Sequence, residues 1–327
     1  VWVRHADREG IPVKRAVGMY MEAWVRDEFA RLTPQEAATL IGYTRIAGLD
    51  RLERAIKVLP GITVAAERLD ADPMLLNTPG GVVDLLDGTV RPAAPADLMT
   101  KITGAAYRPG ARHPDWDQAL RALPDAETAA WVQAYLGRGL VGHQAGVEFV
   151  PFCLGDGSNG KSVLLGAASR AAGSYGGFVS DALLAGQMHE EHLARLRGMR
   201  LAIIEEMADG HRLNVAKLKQ IVGTDKMIGR HLYREAMEWQ PHHTLLVSSN
   251  YRPLVPETDN GTWRRLRAVP FPHTFPPDPG FKERCLTGVE QQEAVLAWMV
   301  EGAMGPMPAD EPAAMVEATR EWRRGTD

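Results

Sequence analysis

Residues 155–162 read Gly-Asp-Gly-Ser-Asn-Gly-Lys-Ser, and this complete Gly-x-x-x-x-Gly-Lys-Ser pattern restricts the fold more than any other feature of the chain. An apolar run at 149–154 precedes the pattern and predicts a buried strand, while residues 162–168 follow it and predict the start of a helix. A strand, a glycine-rich loop and a helix in this order aim the helix N-terminus at an anion. We therefore predict a phosphate-binding loop in an α/β domain, since both flanks argue against a chance glycine turn.

The loop also predicts how a nucleotide and its metal ion would be held. Backbone N–H groups can surround the phosphates, the Lys161 amine can reach the outer phosphates, and the Ser162 hydroxyl can hold Mg²⁺. The predicted cofactors are therefore ATP and Mg²⁺. The predicted nucleotide contacts are Gly155, Asp156, Gly157, Ser158, Asn159, Gly160, Lys161 and Ser162.

Two carboxylates follow a second apolar run. The four apolar residues at 201–204 predict an interior strand that ends at Glu205 and Glu206. Open α/β sheets bind ligands at the carboxyl ends of their strands. One glutamate can help to hold Mg²⁺, and the other can orient or deprotonate an attacking water. A solvated acidic strand end is the alternative, but a position about forty residues after a phosphate loop favours the site.

Two further segments carry polar groups whose role the residues alone leave open. Residues 244–249 predict a third strand closed by Asn250, whose amide can contact the outer phosphate or simply favour a turn. Residues 263–267 include Arg264, Arg265 and Arg267. These arginines form either a surface patch or the source of an arginine finger that reaches the nucleotide of a neighbouring subunit.

Residues 226–239 place apolar side chains on both sides of a polar middle, which predicts a β-hairpin. Arg230 and Arg234 offer cations for phosphate groups, and His231 and Tyr233 offer rings for stacking or packing. An ordinary surface hairpin with a few charges is the alternative.

In this order and spacing, the segments resemble the superfamily 3 helicases, most closely the phage and plasmid primase–helicase branch, which is related to the poxvirus helicase–primase ATPase. The similarity covers about residues 150–271 and includes Asn159 before the Gly-Lys pair. Its most diagnostic element is Lys-x-x-x-Gly-x-Asp at Lys219, Gly223 and Asp225, because generic P-loop ATPases lack it. Residues 77–85 and 136–142 resemble the accessory region that precedes the ATPase in this branch.

The resemblance implies an ATP-dependent replicative DNA helicase that forms a ring, a hexamer, with each ATP between two subunits. Glu206 would be the principal acidic residue and would share Mg²⁺ with Ser162. The family often has one acidic residue here, so the division of labour between Glu205 and Glu206 stays open. Arg265, or alternatively Arg264, would act across the subunit interface. The implied catalytic residues are Lys161, Glu205, Glu206, Asn250, Arg264 and Arg265.

The same resemblance implies that the hairpin projects into a central channel and contacts single-stranded or forked DNA. A primase domain or protein upstream is an expected partner, because relatives commonly carry one and this chain begins at Val1. The expected setting is the cytoplasm of a bacterial host, with the protein encoded by a phage or plasmid. The implied DNA-binding residues are Lys219, Arg230, His231, Tyr233 and Arg234.

The amino-acid composition further restricts the class of protein to which this chain can belong. Lys and Arg total 37 against 41 Asp and Glu, a net charge of −4, whereas a monomeric DNA binder usually shows a basic excess. A ring needs only local charge repeated around its channel, and an acidic exterior limits non-specific adhesion. Cys153 and Cys285 are the only cysteines and indicate neither a disulfide framework nor a zinc site. No apolar stretch reaches the roughly twenty residues of a membrane-spanning helix.

The length of 327 residues suggests roughly two or three domains. We predict an α/β protein with a mainly helical accessory domain at 1–112, which includes a small β-hairpin turning at Asp87 and Gly88. An AAA+-like P-loop ATPase core would span 113–272. A C-terminal segment at 273–327 would hold helices near 290–304 and 312–323. Thr33-Pro34-Gln35-Glu36 predicts a helix start.

Two rival functions stay open. The chain could be a nucleotide-dependent DNA-binding assembly or packaging factor without unwinding activity. It could also be a P-loop small-molecule kinase, although the element from Lys219 to Asp225 argues against this and no acceptor-pocket signature is present. ATP hydrolysis that is stimulated by single-stranded DNA would separate the three.

Overall fold

The structure is a computed structural model, and it describes residues 32–36, 38–39, 51, 64–142, 148–184, 190–223, 226–230, 235–257 and 259–326. The chain divides into two compact units. The smaller unit comprises Val1–Ala71 and Pro95–Thr100, and the larger unit comprises Asp72–Ala94 and Lys101–Asp327. The predicted phosphate-binding loop and all elements around it belong to the larger unit.

In the smaller unit, residues 34–36 and 38–39 are helical, and the helix start predicted at Thr33 is confirmed. The Thr33 N–H donates to a Glu36 carboxylate oxygen at 2.9 Å, and the Glu36 N–H donates to the Thr33 hydroxyl at 3.3 Å. This reciprocal pair is a capping box, which satisfies two N–H groups that a helix start leaves without intrahelical partners. Most of the accessory domain predicted to be helical lies outside the described residues.

The larger unit alternates strands and helices. Its described strands are β1 (Leu75–Thr78), β2 (Gly81–Asp84), β3 (Val90–Arg91), β4 (Val150–Leu154), β5 (Gly176–Val179), β6 (Leu201–Ile204), β7 (Met227–Gly229), β8 (Met237–Trp239), β9 (Thr244–Ser249) and β10 (Leu266–Pro270). Its described α-helices are α1 (Pro114–Leu120), α2 (Ala126–Arg138), α3 (Lys161–Ala172), α4 (Glu190–Arg195), α5 (Val215–Gly223), α6 (Asn260–Trp263), α7 (Phe281–Thr287), α8 (Val289–Met304) and α9 (Ala313–Arg324).

A five-stranded parallel sheet forms the centre of this unit, with the strand order β10-β4-β9-β6-β5. β4, β6 and β9 are fully buried, as expected for interior strands of a parallel sheet that is covered on both faces. These strands confirm the three predicted from the apolar runs, and the predicted α/β class is confirmed with them. Because all five strands are parallel, their carboxyl ends meet at one edge of the sheet.

The sheet separates two apolar clusters. In β6, Leu201 and Ile203 belong to one cluster, while Ala202 and Ile204 belong to the other. This alternation follows from the two-residue period of a strand and places one cluster on each face. Helices α2, α3 and α8 contribute to the first cluster, and α5 and Trp322 of α9 contribute to the second. The core is therefore a three-layer sandwich around the sheet.

Both predicted hairpins are present. β7 and β8 pair antiparallel with Met227 opposite Trp239, and residues 231–234 between them lie outside the described residues. β2 and β3 pair antiparallel around the predicted turn, where the Gly88 N–H donates to the Asp84 carbonyl at 2.8 Å. Gly88 has a φ of +75°, a conformation that glycine adopts without strain. This second hairpin lies in the larger unit, although its residues fall within the predicted 1–112 domain.

The helices predicted near 290–304 and 312–323 are present as α8 and α9, and a short additional helix, α7, precedes them. α8 packs so closely on α2 that a Cβ on Gly137 would lie 2.3 Å from the Ala303 backbone nitrogen. The C-terminal helices thus share one compact unit with the sheet. The three-domain division of the sequence, with boundaries after residues 112 and 272, stays a prediction.

Candidate active site

The loop between β4 and α3 has a backbone shaped for an anion. Gly157, Ser158 and Gly160 have φ values of +47°, +52° and +83°. Gly160 is the N-cap of α3, and no side chain caps the first N–H groups of this helix. Free N–H groups at a helix N-terminus, together with left-handed loop residues, form a concave site for phosphate. The geometry therefore fits the nucleotide that the sequence predicts.

Two glycines of the loop are required by close packing. A Cβ on Gly155 would lie 2.3 Å from the Asn159 side-chain nitrogen and 2.5 Å from the Phe271 carbonyl oxygen. A Cβ on Gly160 would lie 2.8 Å from the Cβ of Ala122, in addition to the cost of its positive φ. The spacing of the Gly-x-x-x-x-Gly pattern thus has a steric cause here.

Lys161 lies inside the loop and is only 4% exposed. Its Nζ donates to the Gly155 carbonyl at 2.5 Å and to the Asn159 Oδ1 at 2.9 Å. Burial lowers the pKa of Lys161, while the nearby acidic groups, Glu206 among them, raise it. The Asn159 Nδ2 is buried without a partner among the described residues. A bound phosphate would supply acceptors to both nitrogens, so these residues fit a triphosphate.

Glu205 and Glu206 are exposed and follow directly after β6. They have different surroundings. Glu205 lines a groove of about 860 Å³ together with Ser162, whereas Glu206 is the glutamate whose charge acts on Lys161. Carboxylate and hydroxyl oxygens are suitable ligands for Mg²⁺. The assignment of Mg²⁺ to Ser162 and Glu206 stays a prediction, and the groove makes Glu205 an alternative ligand.

Asn250 lies beside the loop because β9 is the neighbour of β4 in the sheet, with Ser249 opposite Leu154. Asn250 is exposed, and it lines a cavity of about 470 Å³ with Asn159 and loop residues 155–157. The Ser249 hydroxyl donates a hydrogen bond to the Tyr251 carbonyl at 2.7 Å and accepts one from the Tyr251 N–H at 3.1 Å. These two bonds stabilise the turn. The position suits a group that contacts the outer phosphate.

Sequence reasoning missed the segment after β10 as a part of the site. The Phe275 N–H donates to the Ser158 carbonyl at 2.9 Å, and His273 lines the cavity that contains Asn250. The proline-rich run at 272–280 was the available signal, but it predicted only the end of the sheet. Tyr251, 48% exposed, lines the same cavity directly after Asn250.

The candidate finger arginines lie at the opposite edge of the sheet from the loop. The Val150 N–H donates to the Arg265 carbonyl at 2.8 Å, so Arg265 stands at the amino end of β4, whereas the loop follows the carboxyl end. A strand of this length spans about 16 Å. The structure therefore brings the loop, both glutamates and Asn250 to one edge, and it places Arg264 and Arg265 away from them.

The three arginines differ in exposure. The Arg264 side chain is 63% exposed and lies 3.5 Å from a Glu148 carboxylate oxygen. The Arg265 side chain is 13% exposed, donates to the Gly261 carbonyl at 2.7 Å and lies 3.6 Å from the same Glu148 oxygen. Arg267 is 18% exposed and pairs with a glutamate of its own chain. Arg264 is thus the most accessible of the three.

The predicted DNA contacts are only partly described. Lys219 lies on α5, and its Nζ donates to a Glu257 carboxylate oxygen at 3.2 Å. Arg230 is exposed and follows β7 directly. Across the hairpin, the Lys226 Nζ and a Glu238 carboxylate oxygen pair at 2.6 Å. The remaining predicted contacts, His231, Tyr233 and Arg234, lie outside the described residues, as does Asp225.

Known proteins match most of the chain. A family model described as D5 N terminal like matches residues 13–123, and a family of unknown function, DUF5906, matches residues 153–265. A protein of African swine fever virus named "Putative primase" is 27% identical over 239 residues, which are 65% of this chain and 24% of that protein. The chain therefore contains a D5 N-terminal-like region next to a region shared with DUF5906.

Two proteins named "Putative helicase" are also similar. One from Frog virus 3 is 32% identical over 137 residues, which are 39% of this chain and 14% of that protein. One from Invertebrate iridescent virus 6 is 25% identical over 240 residues, which are 68% of this chain and 25% of that protein. The chain thus spans between 14% and 25% of the length of these relatives. The predicted resemblance to primase–helicase proteins related to the poxvirus helicase–primase ATPase is confirmed by these matches.

Solved structures share the fold. Two apo structures of the C-terminal region of NrS-1 superpose with TM-scores of 0.53 and 0.52 at 14% identity. They cover 79% and 68% of this chain, which correspond to 59% and 53% of those chains. At this identity the likeness concerns the fold alone. Of the helices that the structure describes, none is long and apolar enough to cross a membrane.

Proposed function

We propose that the chain is the motor part of an ATP-dependent replicative DNA helicase of the superfamily 3, AAA+-like type, encoded by a phage or plasmid and acting in the cytoplasm of a bacterial host. It would assemble into a ring, a hexamer, and translocate on single-stranded or forked DNA. A primase domain or protein upstream would be its partner. The relatives named as helicases and primases support this proposal, although the chain spans only a fraction of their length.

One observation carries the proposal: a single sheet edge collects the phosphate loop, both glutamates and Asn250, while the arginines lie at the other edge. Such an edge supplies phosphate binding, a base and a contact to the outer phosphate. Arg264 and Arg265 lie away from this edge, whereas Arg252 of the same chain lines the cavity beside Asn250 and pairs with Glu321. A finger at Arg264 or Arg265 would therefore have to come from a neighbouring subunit, which supports a ring over an isolated kinase.

Each residue has a proposed role at its stated position. Lys161 and the α3 N-terminus would bind the phosphates, and Ser162 with Glu206 would hold Mg²⁺. Bound ATP would supply the phosphoanhydride bond whose hydrolysis drives movement, and Mg²⁺ would neutralise charge on its phosphates. Glu206 or Glu205 would orient or deprotonate the attacking water. Asn250 would contact the outer phosphate, and Arg265 or Arg264 of the next subunit would stabilise charge on the transferred phosphoryl group.

The hairpin formed by β7 and β8 would carry the DNA contacts. Arg230 leaves β7 exposed at the start of the segment that joins the two strands. Cations in that position can track a nucleic-acid backbone, and Tyr233 and His231 would add stacking. Lys219, on the helix that leads into the hairpin, would add a further cation.

The decisive experiment measures phosphate release with and without single-stranded DNA, alongside unwinding of a forked duplex. We expect DNA to stimulate hydrolysis and the fork to open only with hydrolysable nucleotide. Stimulated hydrolysis without unwinding by the ring would instead indicate the assembly or packaging factor. Hydrolysis that ignores DNA but transfers phosphate to a small acceptor would indicate a kinase.

A further inference from the structure

Arg252 follows Asn250 by two positions and lines the cavity of about 470 Å³ beside the phosphate loop. Among the lining residues that the structure describes, Arg252 is the one permanent cation and Asp156 is the carboxylate. Asn159, only 4% exposed, lines the same cavity, and its Nδ2 has no hydrogen-bond partner among the described residues. The cavity thus combines a guanidinium and a buried amide donor, and both groups bind phosphate oxygens.

The backbone on both sides of the Arg252 carbonyl is fixed by its neighbours. Arg252 precedes Pro253, and a residue before proline is restricted to extended conformations. The Nε1–H of the buried Trp322, in α9, donates to the Pro253 carbonyl at 3.0 Å. The Leu254 N–H donates at 2.8 Å to the carbonyl of His211, in the segment that follows β6. The Arg252 side chain therefore starts from a defined position at the cavity.

The guanidinium of Arg252 forms an exposed ion pair. Its Nη2 lies 3.1 Å from a carboxylate oxygen of Glu321 in α9, and the two side chains are 49% and 52% exposed. Exposed pairs of this kind contribute little to stability, because water competes for both charges. A phosphate group also matches the guanidinium fork and can accept two of its hydrogen bonds. The arginine can therefore exchange the carboxylate for a phosphate without the loss of a buried contact.

We propose that Arg252 binds the outermost phosphate of the nucleotide on its own chain, and that Glu321 competes with this phosphate for the arginine. The inference rests on the proposed function, because it requires ATP on the phosphate loop. Arg252 differs from Arg264 and Arg265, since it lies at the carboxyl edge of the sheet and needs no second subunit to reach the cavity. It adds a cation from the same chain to the arginine that a neighbour would supply.

The first test uses two neutral variants that should act in opposite directions. Arg252→Gln removes the phosphate contact and should weaken ATP binding by at least ~10-fold, with a smaller loss for ADP, which lacks the outermost phosphate. Glu321→Gln removes the competitor and should tighten ATP binding by about two- to threefold. An ion pair that only stabilised the fold would not give opposite signs. Fluorescent analogues of ATP and ADP measure the two affinities, and a thermal melt checks the fold.

Glu317→Gln is the matched control. Glu317 lies one turn before Glu321 on α9, is 51% exposed and pairs with Arg320 and Arg324, but it does not line the cavity. Its replacement removes the same charge from the same helix, and we expect wild-type affinity for both nucleotides.

The second test asks whether Arg252 serves its own chain. In a mixture of Arg252→Gln with Lys161→Ala, no loop has both residues on one chain. ATPase at subsaturating ATP should therefore not exceed the sum of the two separate proteins. A clear rise above that sum would overturn the assignment of Arg252 to its own nucleotide.

The outcomes also separate this inference from the proposed function. A folded wild-type chain that does not bind ATP would overturn both. If the wild type binds ATP, three results would each overturn the inference alone. They are wild-type affinity of Arg252→Gln, an equal loss for ATP and ADP in that variant, and a Glu321→Gln variant that binds ATP no more tightly than the wild type.

Discussion

The carboxyl and amino edges of the parallel sheet carry residues that one reaction would need, but these residues differ in their exposure and in their hydrogen-bond partners. At the carboxyl edge, Glu205, Glu206 and Asn250 are exposed, and the buried Asn159 amide has no partner among the described residues. At the amino edge, Arg265 is already bonded to the Gly261 carbonyl of its own chain. The first edge thus leaves polar groups available to a ligand, whereas the second holds Arg265 in contacts within its own chain.

This difference follows from topology. Five parallel strands collect the loops that follow them at one edge, and the segments that enter the strands collect at the other. The polar residues that follow β4, β6 and β9 therefore lie on the side of the nucleotide site, and the residues that precede β4 and β10 lie on the other side. The comparison predicts that substitutions at the carboxyl edge act within one chain, while substitutions at the amino edge act on its neighbour.

The largest effect should come from Lys161→Ala. Its Nζ is the buried cation of the loop, so its removal should lower ATP turnover by at least ~10³-fold. Phosphate release under steady-state conditions measures the decrease, and a thermal melt checks the fold. The melt is needed because Lys161 is buried against Gly155 and Asn159, not displayed on the loop surface. A folded variant with wild-type turnover would show that the carboxyl edge with its phosphate loop is not the ATPase site.

A second change separates the two glutamates. Glu206→Gln is nearly isosteric and should keep nucleotide binding, but hydrolysis should fall by at least ~10²-fold because a base or water-orienting group is removed. Glu205→Gln is the matched variant one position away, and it lines the groove with Ser162. Its effect on hydrolysis should be smaller and should depend less on Mg²⁺ concentration, because Glu206 is the proposed Mg²⁺ ligand. If Glu205→Gln instead is the variant that binds nucleotide without hydrolysis, the roles of the two residues are reversed.

Much of the carboxyl edge could be predicted from the sequence, because its signals are local. An apolar run, a glycine loop and two glutamates are each contained in fewer than ten residues, and each was found where the structure has it. β5 was not predicted, since Gly-Gly-Phe-Val has little strand propensity outside its sheet. The seven residues of α7 are too short for a periodic signal.

The rest depends on interactions between distant segments. That β9 separates β4 from β6 depends on strand pairing between residues as distant in the chain as Phe152 and Val247, which no local pattern encodes. Local patterns also do not encode the hydrogen bond from the Phe275 N–H to the loop, or the contacts of Arg265 with Gly261 and Glu148. The arginines of the amino edge were therefore predicted from their local sequence motif, but their distance from the phosphate loop was not predicted.

The smallest effect should come from the hairpin, which belongs to neither edge. Arg230→Ala combined with Arg234→Ala should weaken DNA binding by about tenfold and lower the salt slope by about one for each phosphate that the protein no longer neutralises. ATP hydrolysis without DNA should persist. Arg108→Ala is a suitable control, because Arg108 is 68% exposed and pairs with Glu293. Unchanged affinity and an unchanged salt slope would make this an ordinary surface hairpin.

Mixing two inactive variants tests most directly whether the two edges of different subunits form one active site. Lys161→Ala lacks the loop cation but keeps its arginines, and Arg265→Ala lacks an arginine but keeps its loop. We expect that each variant alone is inactive and that the mixture regains part of the wild-type ATPase, because some interfaces join an intact loop to an intact Arg265. Arg264→Ala in place of Arg265→Ala identifies which arginine acts. A mixture of exchanging subunits that stays inactive, while a tandem fusion shows Arg265 serving the nucleotide of its own chain, would contradict an active site shared between subunits.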